Sequence, residues 1–164
     1  LQSKNIKALF FVVGNQAEKH KEIVKMINSA GHLIGNHSYN HKSLLFESSK
    51  NIADEINTNS NLIEKIIEQK PIYFRPPFGR FNFFNNRLLE KLNNKCVMWD
   101  VFPYDYKNNL NIIKLGVKKI SAGSIVVMHD NFKTENNIEE NFKILFDEIE
   151  KKGLKFGDPD KCLN

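Results

Sequence analysis

The chain has 164 residues and carries 24 Lys and Arg against 19 Asp and Glu, a net charge of +5. That length suits one domain, and 41% hydrophobic with 26% charged residues is ordinary for a soluble globular chain. No apolar run reaches the ~20 residues that span a bilayer, and the lysines are spread out rather than clustered on one element, which argues against a nucleic-acid surface. A mildly basic surface still favours an anionic polymer.

Leu1 to Lys7 read as the end of a helix entering a strand, with no signal peptide. Residues 8–14, ALFFVVG, predict a buried strand. Residues 17–31 place Ile23, Val24, Ile27 and Ala30 at helical spacing and stop at Gly31. HLIGNH, 32–37, is a short strand. Residues 48–70 predict a long helix with Ile52, Ile56, Leu62, Ile63, Ile66 and Ile67 on one side, ended by Pro71. A strand over 72–75 leads to the loop PPFGRFN and a short helix over 85–94. CVMWDV, 96–101, is a strand, 109–121 a helix, SIVVMHD, 124–130, a strand, and 138–153 a helix stopping at Gly153. LKFG, 154–157, is a last short strand. Cys96 lies in an apolar run and reads as a buried small hydrophobe. Whether it pairs with Cys162 is left open by the sequence. Strands alternating with helices imply parallel β/α units, whose sites lie beyond the carboxyl ends of the strands.

Unusual polar residues follow those strands. They are His37 and His41 after the second, Arg75 after the third, Asp105 and Tyr106 after the fourth, and His129 with Asp130 after the fifth. A parallel sheet would bring them to one face. Two histidines four apart are common by chance, but the convergence of an Arg, an Asp and a third His strengthens a site reading. Imidazole pairs suit zinc and similar divalent metals, and a helical turn would point both rings the same way. Catalytic zinc takes a third protein ligand, beside two His usually a carboxylate. The pair lacks the glutamate of a His-Glu-x-x-His zinc protease.

With these motifs the chain resembles the polysaccharide deacetylases of carbohydrate esterase family 4, the NodB homology domains. KALFFVVG through GNHSYNH resembles the family's second strand, helix and His-x-x-x-His motif. RPPFGR, WDVFPYDY and IVVMHD resemble the third, fourth and fifth motifs in order. The resemblance implies an α/β fold, an incomplete or distorted (β/α) barrel with its first strand missing, across residues 1–164. It implies a hydrolase that removes acetyl groups from an N-acetylated glycan such as chitin or peptidoglycan, at the cell envelope or outside the cell. The metal would be divalent, zinc first, with cobalt, nickel or manganese as alternatives, on His37 and His41. Arg75 would orient the catalytic base, and Asp105 would pair with and tune His129, the general acid. Phe78 stands where the family usually has Tyr, with its backbone N–H in the oxyanion hole. Pro77 in the same loop, Tyr106 in place of a Trp on the groove wall, and Val127 in place of a Leu at the acetyl pocket would meet substrate. Phe102 stands where many members have an Asp.

The first motif departs most. The family opens with a strand ending in Asp-Asp, one the base and the other the third metal ligand; no Asp-Asp pair occurs in this sequence. Three accounts are open. A longer parent chain is favoured, because a barrel without its first strand exposes unpaired edges. The others are a remnant that binds carbohydrate or serves a structural role without catalysis, and replacement of the lost pair by Asp158 or Asp160. On the first account these residues alone should be a poor deacetylase.

Overall fold

A computed structural model describes residues 1–82 and 86–163. The chain divides into two units, Leu1–Met98 with Gly157–Asn164, and Trp99–Phe156.

In the first unit the expected alternation is present. It runs β1 (Leu9–Val12), α1 (Gly14–Lys19), α2 (Lys21–Ser29), β2 (Leu33–Asn36), α3 (Ser49–Ile67), β3 (Tyr73–Phe74), α4 (Asn86–Lys91) and β4 (Lys95–Cys96). The four strands form one sheet in the order β1-β2-β3-β4, every pair parallel. The register sets Leu9 beside Leu33 and Val12 beside Asn36, so β1 and β2 end together and release their loops at the same edge.

The helices differ from expectation where the backbone turns. The helix expected over 17–31 breaks at His20 (φ −128°, ψ 51°) into α1 and α2. Val24 is buried there, while Ile23 and Met26 are exposed. Ser48 caps α3 by accepting the Asn51 N–H, and the helix ends at Glu68 in the left-handed region (φ 58°), before Pro71 acts. The helix expected over 85–94 is α4; its first position, Asn85, lies outside the described residues. Ala17, Val24, Ile34, Ile63 and Ile66 form one buried cluster, and Leu44, Ile52, Ile56, Phe74 and Leu89 another. Each large aliphatic side chain buried this way contributes about 1.5–3 kcal/mol.

Three expected strands are shortened or absent for the same reason: their backbone groups bond elsewhere. Beyond β4, the Arg75 guanidinium takes the carbonyls of Val97 and Met98. In the second unit, SIVVMHD reduces to a parallel bridge, Val101 with Val126, because the Asp100 carboxylate accepts the Ile125 N–H. LKFG forms no strand, and the Leu154 N–H instead closes the end of α6 (Ile138–Lys151) on Ile149. With α5 (Leu110–Val117), α6 buries Val101, Ile113, Val117, Ile120, Leu145 and Ile149. Cys96 is not buried as expected: Lys95 and Cys96 are both exposed, and Val97 takes the interior position. Cys96 and Cys162 are free thiols. Residues 157–161, GDPDK, lead into a short helix, α7 (Pro159–Cys162), with Asp158 as its cap. No helix among the described residues is long and apolar enough to cross a membrane.

Candidate active site

His37 follows directly on β2. Its N–H donates to the Val12 carbonyl at 3.1 Å, continuing the β1–β2 ladder by one residue. Its ring Nδ1 lies 2.7 Å from the Arg75 carbonyl oxygen. A carbonyl only accepts, so Nδ1 carries the proton, and in the neutral ring the lone pair is on Nε2. This is the arrangement of a metal-ligating imidazole, in which the second ring nitrogen is tied to a carbonyl or carboxylate. The His41 ring lies 4.8 Å from the His37 ring, at 71° to it.

The two rings do not meet on a helical turn, as the spacing suggested. They meet across a bend in which Ser38 (φ 60°) and His41 (φ 55°) are both left-handed. Ser38 Oγ accepts the His41 N–H, and Asn36 Oδ1 accepts the Ser38 N–H. Helix α3 supports this bend with polar side chains buried among its apolar ones. Asn59 donates to the Ser38 and Val12 carbonyls and to Asn36 Oδ1. Asn36 Nδ2 donates to Ser60 Oγ and the Ile56 carbonyl, and Glu55 accepts from Tyr39 and Asn40. Sequence reasoning missed Asn36, Glu55, Asn59 and Ser60. The signal was there: Glu55 and Asn59 fall on the same helical face as Ile52, Ile56 and Ile63, where a polar residue calls for a partner.

Arg75 and the loop after it complete the group of candidate residues within this unit. Arg75 is 8% exposed. Its Nε donates to the Val97 carbonyl at 2.9 Å, its Nη2 to Met98 at 3.3 Å, and its guanidinium carbon stands 4.2 Å from the Phe11 ring centre. Burial pulls its pKa down to about 10, so it stays charged at neutral pH. Pro77 is buried, and Phe78 is left-handed (φ 59°) with its largely exposed ring edge-on to His41 at 4.8 Å.

The second unit holds Asp105 and His129. Asp105 is fully buried in a short 3-10 turn, Asp105–Lys107. Its Oδ2 accepts the His129 N–H at 2.6 Å, and its Oδ1 lies 2.8 Å from His129 Nδ1. The contact expected between the two is formed, and it is doubled. The carboxylate fixes the ring by Nδ1 and leaves Nε2 as the reactive nitrogen. Tyr106 and Phe102 each approach the His129 ring at 5.7 Å, and Val127 is buried two residues before it.

Asp158 and Asp160 do not stand in for a lost acidic pair. Asp158 caps α7 and pairs with Lys7 at 3.4 Å, ahead of β1. Asp160 lines a small cleft with Leu33, Ile72 and Tyr73, at the amino ends of β2 and β3. His37 lies beyond the carboxyl end of β2, at the other edge of the sheet. Among the described residues, no three His, Cys, Asp or Glu side chains group so as to hold a metal ion.

Comparison with known proteins agrees with the family resemblance. The polysaccharide deacetylase family model matches residues 1–97, and the chain belongs to that family. It is 31% identical over 159 residues to the uncharacterized protein YlxY of Bacillus subtilis, covering 96% of this chain and 49% of that protein. It is 31% identical over 131 residues to a peptidoglycan-N-acetylglucosamine deacetylase of Bacillus cereus, covering 79% of this chain and 48% of that one. The chain thus spans about half the length of these relatives. Among solved structures, a CE4 family pseudoenzyme from Bacillus anthracis superposes with a TM-score of 0.87 at 29% identity, over 100% of this chain and 58% of that one. The Bc1960 peptidoglycan N-acetylglucosamine deacetylase gives 0.88 at 26% identity, over 98% and 77%. The parallel β/α order is that of a partial deacetylase (β/α) barrel, as the fold class expected.

Proposed function

We propose that residues 1–164 act as a polysaccharide deacetylase domain that removes acetyl groups from an N-acetylated glycan of the cell wall, with a divalent metal on His37 and His41. The observation that carries this reading is the His37 ring: Nδ1 is tied to the Arg75 carbonyl, and the ring lies 4.8 Å from that of His41. Zinc suits such a donor pair, with cobalt, nickel or manganese as substitutes. A bound metal of this kind supplies Lewis-acid polarisation of water and carbonyl. His129, its ring fixed through Nδ1 by Asp105, would give a proton from Nε2 to a leaving amine. The Phe78 N–H serves as an oxyanion donor, and its left-handed backbone is what turns that loop. Tyr106, Val127 and Pro77 shape the sugar and acetyl contacts, and Arg75 holds the base when one is present. The named relatives that act on peptidoglycan make that polymer the first substrate to test.

A second reading is favoured by the pseudoenzyme among the structural neighbours: a domain that binds glycan without turnover. One experiment separates the two. Acetate release from an N-acetylglucosamine oligomer is measured with added zinc, for the 164-residue chain and for any longer natural form containing it. Release that disappears on chelation and returns with zinc supports the deacetylase. Oligomer binding without acetate in every form supports the second reading.

A further inference from the structure

Glu55 lies midway along α3 and is 7% exposed, among Ile52, Ile56 and Ile63. A carboxylate placed there gives up its hydration, and for stability alone an apolar side chain of similar volume serves as well or better. Among the described residues, every hydrogen bond and ion pair of this carboxylate runs to one short segment. Oε2 accepts the Tyr39 and Asn40 N–H groups at 3.1 and 2.8 Å. Oε1 accepts the Asn40 side-chain amide at 2.7 Å and faces the Lys42 ammonium at 3.4 Å. None goes to the sheet or to its own helix. The residues held are those between His37 and His41 and the one just beyond.

That segment needs an external support. Ser38 and His41 are left-handed, a conformation that residues other than glycine keep only where their surroundings over-determine it. The N–H groups of residues 38 to 41 each end on a side chain: Asn36, Glu55 twice, and Ser38. Asn36 and Ser38 sit in the same stretch of chain as the histidines. Glu55 is the anchor for these N–H groups that comes from a separate, rigid element.

We propose that Glu55 is a positioning residue for the His37–His41 pair: it fixes the separation of the two imidazoles through residues 39 and 40. The proposal rests on the metal-binding reading of that pair. Glu55→Ala removes all four contacts. Glu55→Gln keeps one acceptor for the two backbone N–H groups but turns an amide N–H toward donors. Val24→Ala is the control, since Val24 is buried in the cluster of Ala17, Ile34, Ile63 and Ile66.

The test has a metal arm and a metal-free arm. Calorimetric titration with zinc should show affinity lowered roughly 10–100-fold in Glu55→Ala and by less in Glu55→Gln. Val24→Ala should match them in lost thermal stability yet bind zinc as the parent does. In metal-free protein, both Glu55 variants should speed amide exchange at Tyr39, Asn40 and His41 and lose the NOE between the two imidazole rings. Unchanged zinc affinity in the Glu55 variants, or unchanged exchange and NOE, overturns the proposal. If Glu55→Ala does not fold, Glu55→Gln carries both arms. If the parent chain takes up no zinc, the metal reading falls by itself, and exchange and NOE alone decide whether Glu55 positions the rings.

Discussion

His41 and His129 are both imidazoles delivered by loops after short apolar segments, yet they are held in opposite ways. The His129 ring is held through one carboxylate: the buried Asp105 takes its backbone N–H and its Nδ1 together. His41 sits in a bend supported by Asn36, Ser38, Glu55 and Asn59, with two left-handed residues. The difference follows from the tasks proposed for them. An imidazole that moves a proton needs its tautomer set, which one carboxylate accomplishes. A ligand pair needs a fixed distance between two rings, and that takes a network bridging strand, bend and helix.

The comparison predicts separable losses. In an active form of the protein, His129→Ala should lower acetate release about 10²–10⁴-fold, while zinc affinity stays that of the parent. A variant that lost zinc as well would erase the distinction between the two histidines. His37→Ala should do the reverse at the first step, weakening zinc binding by more than the ~100-fold that loss of an outer-shell partner brings, read by titration calorimetry.

Gly14→Ala probes the support of the bend from the α1 side. A Cβ at Gly14 would stand 2.4 Å from Tyr39 Cδ2 and 2.9 Å from Asn59 Oδ1. Overpacking of this kind costs about 1–3 kcal/mol, seen as a lower melting temperature, and zinc affinity should fall with it. If melting drops and zinc affinity does not, the bend is less dependent on its neighbours than the contrast with His129 requires.

The smallest effect is on pH. Burial pushes the Glu55 carboxyl up, but the Asn40 side chain and backbone N–H and the Lys42 ammonium outweigh it, so its pKa in the folded protein lies below 4.5. A depressed carboxyl adds stability that is fully present above its unfolded value and is lost as pH falls through the lower folded value. Glu55→Gln should therefore flatten part of the loss of stability below pH 4.5, followed by thermal unfolding in steps of pH. Parallel acid limbs in the two proteins would show that the carboxylate charge adds nothing to the bend.

Much of the first unit was legible in the sequence because its signals are periodic. Ile52, Ile56, Ile63 and Ile66 mark α3 by spacing, and His37 and His41 follow an apolar run. What was not legible is the route of backbone hydrogen bonds. LKFG and SIVVMHD are short apolar runs of strand length, but apolar character does not guarantee a ladder. The Leu154 N–H closes a helix, and the Ile125 N–H goes to Asp100. The site divided along the same line. Residues that follow strands were singled out by position, whereas Glu55 and Asn59 were passed over because the period of α3 was read from its aliphatic side chains alone, although both share that buried face.

Arg75 makes two connections from one residue. Its backbone carbonyl holds the His37 ring, and its guanidinium holds the carbonyls of Val97 and Met98. A buried, always-charged fork does not slip along its acceptors as a flexible ammonium does. The segment leaving β4 and the imidazole beyond β2 are thus joined rigidly across β3, the strand between them. Val97 and Met98 lie in a different segment from either histidine, and the orientation of His37 is tied to where those two carbonyls lie.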